Sequence, residues 1–155
     1  MSDRFRQLYQ RFNWTSWQYP AGNLRSLKRA EPPIPPRYGI YLFRAPSTLA
    51  RVRGSSDVIY IGQSGGGPRR GSQGIGPGNG GPGRLFNTRG HDKRVREMIE
   101  AIFPDGIFLV QCVFFDDVDP RTIEAQLLVA YLEDHCELPP ANHSNVTNAN
   151  PSFAS

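Results

Sequence analysis

The sequence has few cysteines and no long apolar run, and both features narrow the class of protein. Cys112 and Cys136 form no CxxC pair, and Cys112 lies in a strand-like run, where we expect a buried free thiol rather than a disulfide. No apolar stretch approaches the roughly 20 residues that cross a membrane. The N-terminus, MSDRFRQLYQRF, carries charges where a signal peptide has an apolar segment. We therefore expect a cytoplasmic protein with no membrane partner.

The chain also lacks a strong excess of charge of one sign. Its 18 basic and 14 acidic side chains give a net charge of +4, which permits nucleic-acid binding but does not require it. At 155 residues the chain is long enough for one domain with a modest core.

A glycine-rich stretch, GQSGGGPRRGSQGIGPGNGGPG, follows residue 61 and lacks the residues of a nucleotide-binding loop. In the phosphate-binding pattern a lysine stands between a glycine and a hydroxyl residue, but here Ser72 follows Gly71 directly. The glycines at positions 76, 78 and 81 match the dinucleotide pattern, yet the nearest strand-like run ends at Gly62, well before them. The stretch is therefore predicted to be a long mobile loop, because its residues cannot build a core.

Periodicity predicts three strands and three helices. The strands are YGIYLFRA, VIYIG and IFLVQCVFFDD, which are short, apolar and rich in strand-forming residues. The helices are predicted over residues 4–12, from His91 or Asp92 after a short turn at residues 84–88, and from Pro120, with Asp119 as the N-cap. A polar link joins the first two strands into an antiparallel hairpin.

These elements predict an α+β fold with a small three-stranded antiparallel sheet flanked by helices. Residues 1–36 form an N-terminal arm, with an extended EPPIPP segment at its end. The domain covers residues 37–145 and contains a glycine-rich insert at 63–83. Residues 146–155 are polar and are predicted to be a disordered tail.

Two tripeptides, Gly39-Ile40-Tyr41 and Tyr60-Ile61-Gly62, lie on the predicted hairpin. They are followed in order by Arg84 in GRL, by Glu124 in TIEAQLLVAYL and by Asn142 in LPPAN. This set, which spans roughly residues 38–145, resembles the GIY-YIG nuclease superfamily. The resemblance implies a metal-dependent endonuclease that hydrolyses phosphodiester bonds in DNA.

The resemblance implies a role for each of the two tyrosines and for the arginine. Tyr41 is the candidate general base on the attacking water, and Tyr60 positions Tyr41 or that water. An unperturbed tyrosine has a pKa near 10, so we expect a nearby metal, arginine or second tyrosine to lower it. Arg84 holds the scissile phosphate with its planar fork. The competing interpretations are strand packing for the tyrosines and a solvated surface charge for the arginine.

The remaining implied site residues are an acid, a histidine and an amide. Glu124 would be the sole carboxylate ligand of one Mg²⁺ or Mn²⁺ ion per active site, although it could instead be a solvated helix residue. His91 would assist proton transfer or cap a helix. Asn142 would fix the active-site end of the domain through its amide hydrogen bonds, with Asn145 as the rival for that position.

The expected partner is DNA, with the double-stranded form favoured. Arg69, Arg70 and Arg89 are candidates for contacts with the DNA backbone or are solvated charges. The compact chain resembles restriction-type members that recognise sequence through inserts, and a homodimer would cut both strands. Alternatives are a structure- or single-strand-selective nuclease and a non-catalytic DNA-binding module on the same fold.

Overall fold

The computed structural model describes residues 3–65, 73–78, 81–88 and 90–142. Three α-helices lie at α1 Arg4–Tyr9, α2 Gly90–Ile102 and α3 Pro120–His135. Four strands lie at β1 Thr15–Pro20, β2 Gly39–Ala50, β3 Ser55–Ser64 and β4 Ile107–Phe114. Two 3-10 helices lie at Leu24–Arg29 and Arg84–Phe86, and residues 140–142 are also helical.

The fold is α+β, as predicted, but its antiparallel sheet has four strands rather than three. The strand order is β1-β4-β2-β3, and every neighbouring pair is antiparallel. The additional strand, β1, comes from the N-terminal region and pairs along its whole length with β4. The division of the chain at residue 36 stays a prediction, but residues before it contribute both a strand and core side chains.

The hairpin of β2 and β3 is longer than the sequence indicates. Much of the predicted polar link is extended strand, because β2 continues to Ala50 and β3 begins at Ser55. Helix α3 begins as predicted: the side chain of Asp119 accepts a hydrogen bond from the backbone N–H of Arg121, and Pro120 occupies the first turn. Both cysteines are free thiols, with Cys112 buried.

The sheet carries one hydrophobic cluster on each face, because successive strand side chains point to opposite sides. On one face, Tyr41, Phe43 and Tyr60 pack against α2 and the two 3-10 helices. On the other, Ile40, Leu42 and Ile61 pack against α1 and α3. We call these the site face and the packing face.

Part of the glycine-rich insert is ordered against the domain, which corrects the expectation that it cannot contribute to a core. Ile75 is fully buried in the site-face cluster. Its N–H donates to the carbonyl of Arg37, and the Arg84 N–H donates to the carbonyl of Gly74, at 2.9 and 3.0 Å. A β-carbon at Gly76 would lie 1.9 Å from the carbonyl oxygen of Ile34. The backbone therefore approaches Ile34 too closely for any residue but glycine at position 76. The hydrogen bond to Gly74 holds the backbone of Arg84 at the start of its 3-10 helix.

Within residues 3–65, 73–78, 81–88 and 90–142, no helix combines the length and the apolar composition that a membrane crossing requires.

Candidate active site

The tyrosines of the two tripeptides lie side by side on the site face. Tyr41 on β2 and Tyr60 on β3 are both buried, and their ring centroids are 6.0 Å apart. In the strand register Tyr41 stands opposite Gly62, and Phe43 stands opposite Tyr60. The last residue of the first tripeptide, Tyr41, thus lies opposite the last residue of the second, Gly62. The ring of Tyr60, the first residue of the second tripeptide, lies beside the ring of Tyr41.

Packing explains the two motif glycines. A β-carbon at Gly62 would lie 2.5 Å from the ring of Tyr41, so the phenol occupies the space that a side chain there would need. A β-carbon at Gly39 would lie 2.0 Å from the carbonyl oxygen of Val113 on β4. Any larger residue at either position would displace the tyrosine or the neighbouring strand.

Asp92 joins the site residues together, and the sequence analysis did not assign it to the site. The Tyr41 hydroxyl donates to its Oδ1 at 3.1 Å, and its Oδ2 lies 3.1 Å from Nε of Arg84. Asp92 is buried in the first turn of α2. The sequence shows an acid at a helix start, and no signal distinguishes this residue from an ordinary first-turn acid.

Arg84 lies between Asp92 and the solvent. Leu85 and Phe86, which follow it in the 3-10 helix, are buried and hold the segment in place. Its Nε–H is buried and has no aligned hydrogen-bond acceptor among the described residues, although Oδ2 of Asp92 is close in distance. Burial opposes the charge, but Tyr41 and Asp92 more than offset it and raise the pKa of Arg84. The guanidinium is therefore charged, and its partly exposed side chain can meet an anionic ligand with the N–H groups that do not face Asp92.

The phenol of Tyr41 is held in its neutral form. Burial raises the pKa of Tyr41 well above its ordinary value, and the charges of Tyr60 and Asp92 raise it further. Only Arg84 acts in the opposite direction as a charge. The direction is opposite to the one expected from the sequence, because burial and the second tyrosine together raise the pKa by more than Arg84 lowers it.

His91 contacts the second tyrosine. Its Nε2 lies 3.2 Å from the Tyr60 hydroxyl. Burial lowers the pKa of His91, partly opposed by the charge of Asp92. The imidazole is therefore neutral near pH 7 and has one ring nitrogen free to accept a proton.

Glu124 approaches the site from α3, on the other side of the sheet. It is half-buried, and burial raises its pKa to about 7, against the lowering effect of the charge of Arg84. Among the described residues no group of three or more histidine, cysteine, aspartate or glutamate side chains could hold a metal ion.

Asn142 fixes the edge strand beside the site. Its Oδ1 accepts from the Ile61 N–H and its Nδ2 donates to the Ile61 carbonyl, both at 3.0 Å. The amide therefore pairs with the free edge of β3 between Tyr60 and Gly62. Asn145, Arg69, Arg70 and Arg89 lie outside the described residues.

The inner part of the site is closed. The cavity bounded by Tyr41, Tyr60, Arg84 and Asp92 has a volume of about 10 Å³, which is near the minimum for a single water molecule. A phosphate group would therefore contact the outer rim, where Arg84, His91 and Glu124 are only partly buried.

Comparisons with known proteins give no family: no protein-family model, no curated protein and no solved structure matches this chain.

Proposed function

We propose that the protein is a divalent-metal-dependent DNA endonuclease that hydrolyses phosphodiester bonds. The observation that supports this most directly is the meeting of Tyr41 and Tyr60 with Arg84 and His91 on one face of the sheet. The charge of Arg84 also acts on Glu124. A cation for the phosphate and a neutral base thus lie on one face of the sheet, and a carboxylate for a metal lies within electrostatic range of that cation.

Arg84 binds the scissile phosphate. Its backbone is anchored through Gly74, and its buried Nε–H has no aligned acceptor among the described residues. About a third of the side chain is exposed, so the part of the guanidinium that does not face Asp92 can donate charge-assisted hydrogen bonds to a phosphate oxygen. Asp92 and Tyr41 hold the guanidinium in place from the inner side.

Glu124 is the ligand for one Mg²⁺ or Mn²⁺ ion. Its partial burial raises its pKa to about 7, so a cation would stabilise the carboxylate form in a place where solvent does so poorly. A bound ion supplies Lewis-acid stabilisation of the charge that develops on the phosphate. The donor set fits such an ion, because a Mg²⁺ site commonly uses one or two carboxylates together with substrate phosphate.

His91 accepts the proton from the attacking water, either directly or through the hydroxyl of Tyr60. It is neutral near pH 7, whereas the raised pKa of Tyr41 opposes phenolate formation. Tyr41 then acts as a positioning residue, which donates its hydroxyl proton to Asp92 in a hydrogen bond. In this scheme Tyr41 does not serve as the general base that the family resemblance implies.

A nicking assay tests the proposal. We expect the wild-type protein to nick supercoiled plasmid with Mg²⁺ or Mn²⁺, and Glu124→Gln to lose at least about 100-fold in rate, because its amide binds the ion poorly. Glu133→Gln, the same change at an exposed position of α3, is the matched control and should retain activity. Equal rates for wild type and Glu124→Gln would show that the site is wrong.

A non-catalytic DNA-binding module is the second candidate. The observation in its favour is the closed inner site, where Asp92 forms an ion pair with Arg84 and accepts a hydrogen bond from the hydroxyl of Tyr41. Retained duplex binding without nicking under any metal condition would support this candidate.

Within the nuclease function, we propose restriction-type cleavage of double-stranded DNA, with one nick per active site and a homodimer cutting both strands. Sequencing the ends produced from a mixed DNA pool tests this specificity. A recurring motif at the ends would support it, whereas random ends would favour a structure- or single-strand-selective nuclease.

A further inference from the structure

A second cavity lies next to the candidate active site. It has a volume of about 350 Å³ and runs between the 3-10 helix Leu24–Arg29 and α2. Leu85 and Arg96 line both this cavity and the inner site, so the two adjoin. Phe86 and Thr88 also line it. We call the part formed by residues 85–88, the segment that follows Arg84, the floor of the groove.

The charge of this groove is predominantly positive. Four cationic side chains line it against two carboxylates: Arg25, Lys28, Lys93 and Arg96, with Glu97 and Glu100. The Lys93–Glu97 pair is 3.6 Å apart and exposed, so it is weak and competes poorly with a polyanion. Arg25 and Lys28, on the opposite wall, are exposed and make no ion pair among the described residues.

Two features hold the cations in position across the groove. Lys28 Nζ lies 5.6 Å from the ring centroid of Phe86, which places an ammonium over the floor next to Arg84. Arg96 donates to the carbonyl of Asn87 through Nη2, while its buried Nη1 has no acceptor among the described residues. The guanidinium therefore stands at the junction of groove and site, where its charge attracts an anion in the groove.

We propose that this groove binds the sugar-phosphate backbone of the DNA duplex that flanks the scissile phosphate. Arg25, Lys28 and Lys93 contact phosphates on the two walls, and Arg96 contacts the phosphate nearest to the site. The proposal rests on the proposed function, because it takes the phosphate on Arg84 as the neighbour of the one on Arg96. It also assigns DNA binding to the region before β2, which the family resemblance does not cover.

Salt-dependent binding to a DNA duplex in EDTA, where metal-dependent cleavage is stopped, tests the groove. Each lost phosphate contact lowers the slope of log K against log salt by about 0.9, so Arg25→Ala/Lys28→Ala should reduce the slope by about two. The charge-matched control is Arg6→Ala/Arg11→Ala, in exposed residues at the helix on the packing face, which should leave the slope unchanged. Lys93→Gln, on the other wall, should reduce it by about one.

The outcomes separate the groove from the catalytic proposal. Three results would overturn the proposal that the groove binds DNA, even if the wild type nicks plasmid. They are an unchanged slope for Arg25→Ala/Lys28→Ala, an equal loss of slope in the control pair, and tighter binding to duplex RNA than to duplex DNA. Loss of slope in the groove variants, without nicking by the wild type in Mg²⁺ or Mn²⁺, would support the groove and count against the nuclease. Circular dichroism of each variant checks that the fold is retained.

Discussion

The two faces of the sheet are built from the same strands but differ in chemistry. On the packing face, Ile40, Leu42 and Ile61 meet Leu127 and Tyr131 of α3 in an apolar cluster. On the site face, the hydroxyls of Tyr41 and Tyr60 from these strands meet the guanidinium of Arg84 from the 3-10 helix and the Asp92 and His91 side chains from α2. Both faces bury apolar side chains, but the site face also carries polar groups whose burial costs free energy unless they are paired.

In the two tripeptides, neighbouring side chains point to opposite faces of the sheet, as they do along any strand. In GIY, Ile40 points to the packing face and Tyr41 to the site face. In YIG, Tyr60 points to the site face, Ile61 to the packing face, and Gly62 leaves room beneath the ring of Tyr41. Each short motif therefore contributes one core residue and one site residue, which is why its order matters.

The largest expected effect is on stability, from the packing face. Leu127 is fully buried on α3, and Leu127→Ala should lower the free energy of unfolding by about 2–5 kcal/mol through lost burial and a cavity. Leu132→Ala, at an exposed position of the same helix, is the control and should cost much less. Urea denaturation measures both, and equal costs would contradict the division of the two faces.

The next effect is on rate, from the site face. Arg84→Lys keeps the charge but removes the fork and the contact with Asp92, so we expect nicking to slow by about 100-fold or more. Stability should also fall, because the change weakens the partner of the buried Asp92 carboxylate. Arg94→Lys, at an exposed position of α2, serves as the control. Wild-type nicking by Arg84→Lys would exclude bidentate phosphate binding.

Gly62→Ala should lower the free energy of unfolding by crowding Tyr41 on the site face. The new β-carbon would meet the ring of Tyr41, and overpacking of this kind costs about 1–3 kcal/mol of unfolding free energy. In a Tyr41→Ala background the same substitution should cost much less, because its neighbour is gone. A double-mutant cycle by urea denaturation measures the coupling. An equal cost in both backgrounds would show that the clash is not with Tyr41.

Local signals predicted much of this architecture, and non-local contacts account for what was missed. The strands of GIY and YIG and the Asp119 cap follow from patterns within a few residues. Strand β1 was missed because its partner is β4, far along the chain, although Trp17 and Tyr19 alternate with exposed residues. Asp92 was missed for the same reason, since Tyr41 and Arg84 become its neighbours only after folding.

The smallest expected effect is a pH dependence of stability that comes from His91. Burial lowers its pKa in the folded protein, so the unfolded chain takes up a proton first as the pH falls below about 6.5. The contribution of His91 to stability is therefore present above that pH and is lost as the pH falls towards the folded pKa. Between pH 7.5 and 5.5 the urea midpoint of the wild type should fall slightly more than that of His91→Gln.

The comparison between the two proteins isolates this one side chain, because the other titrating groups are common to both. His135 lies at the end of α3, where its Nδ1 is 2.8 Å from the carbonyl oxygen of Arg53, and it is present in both proteins. Parallel midpoints across the pH range would show that His91 titrates alike in the folded and unfolded chains. In that case its neutral form would not be favoured by burial.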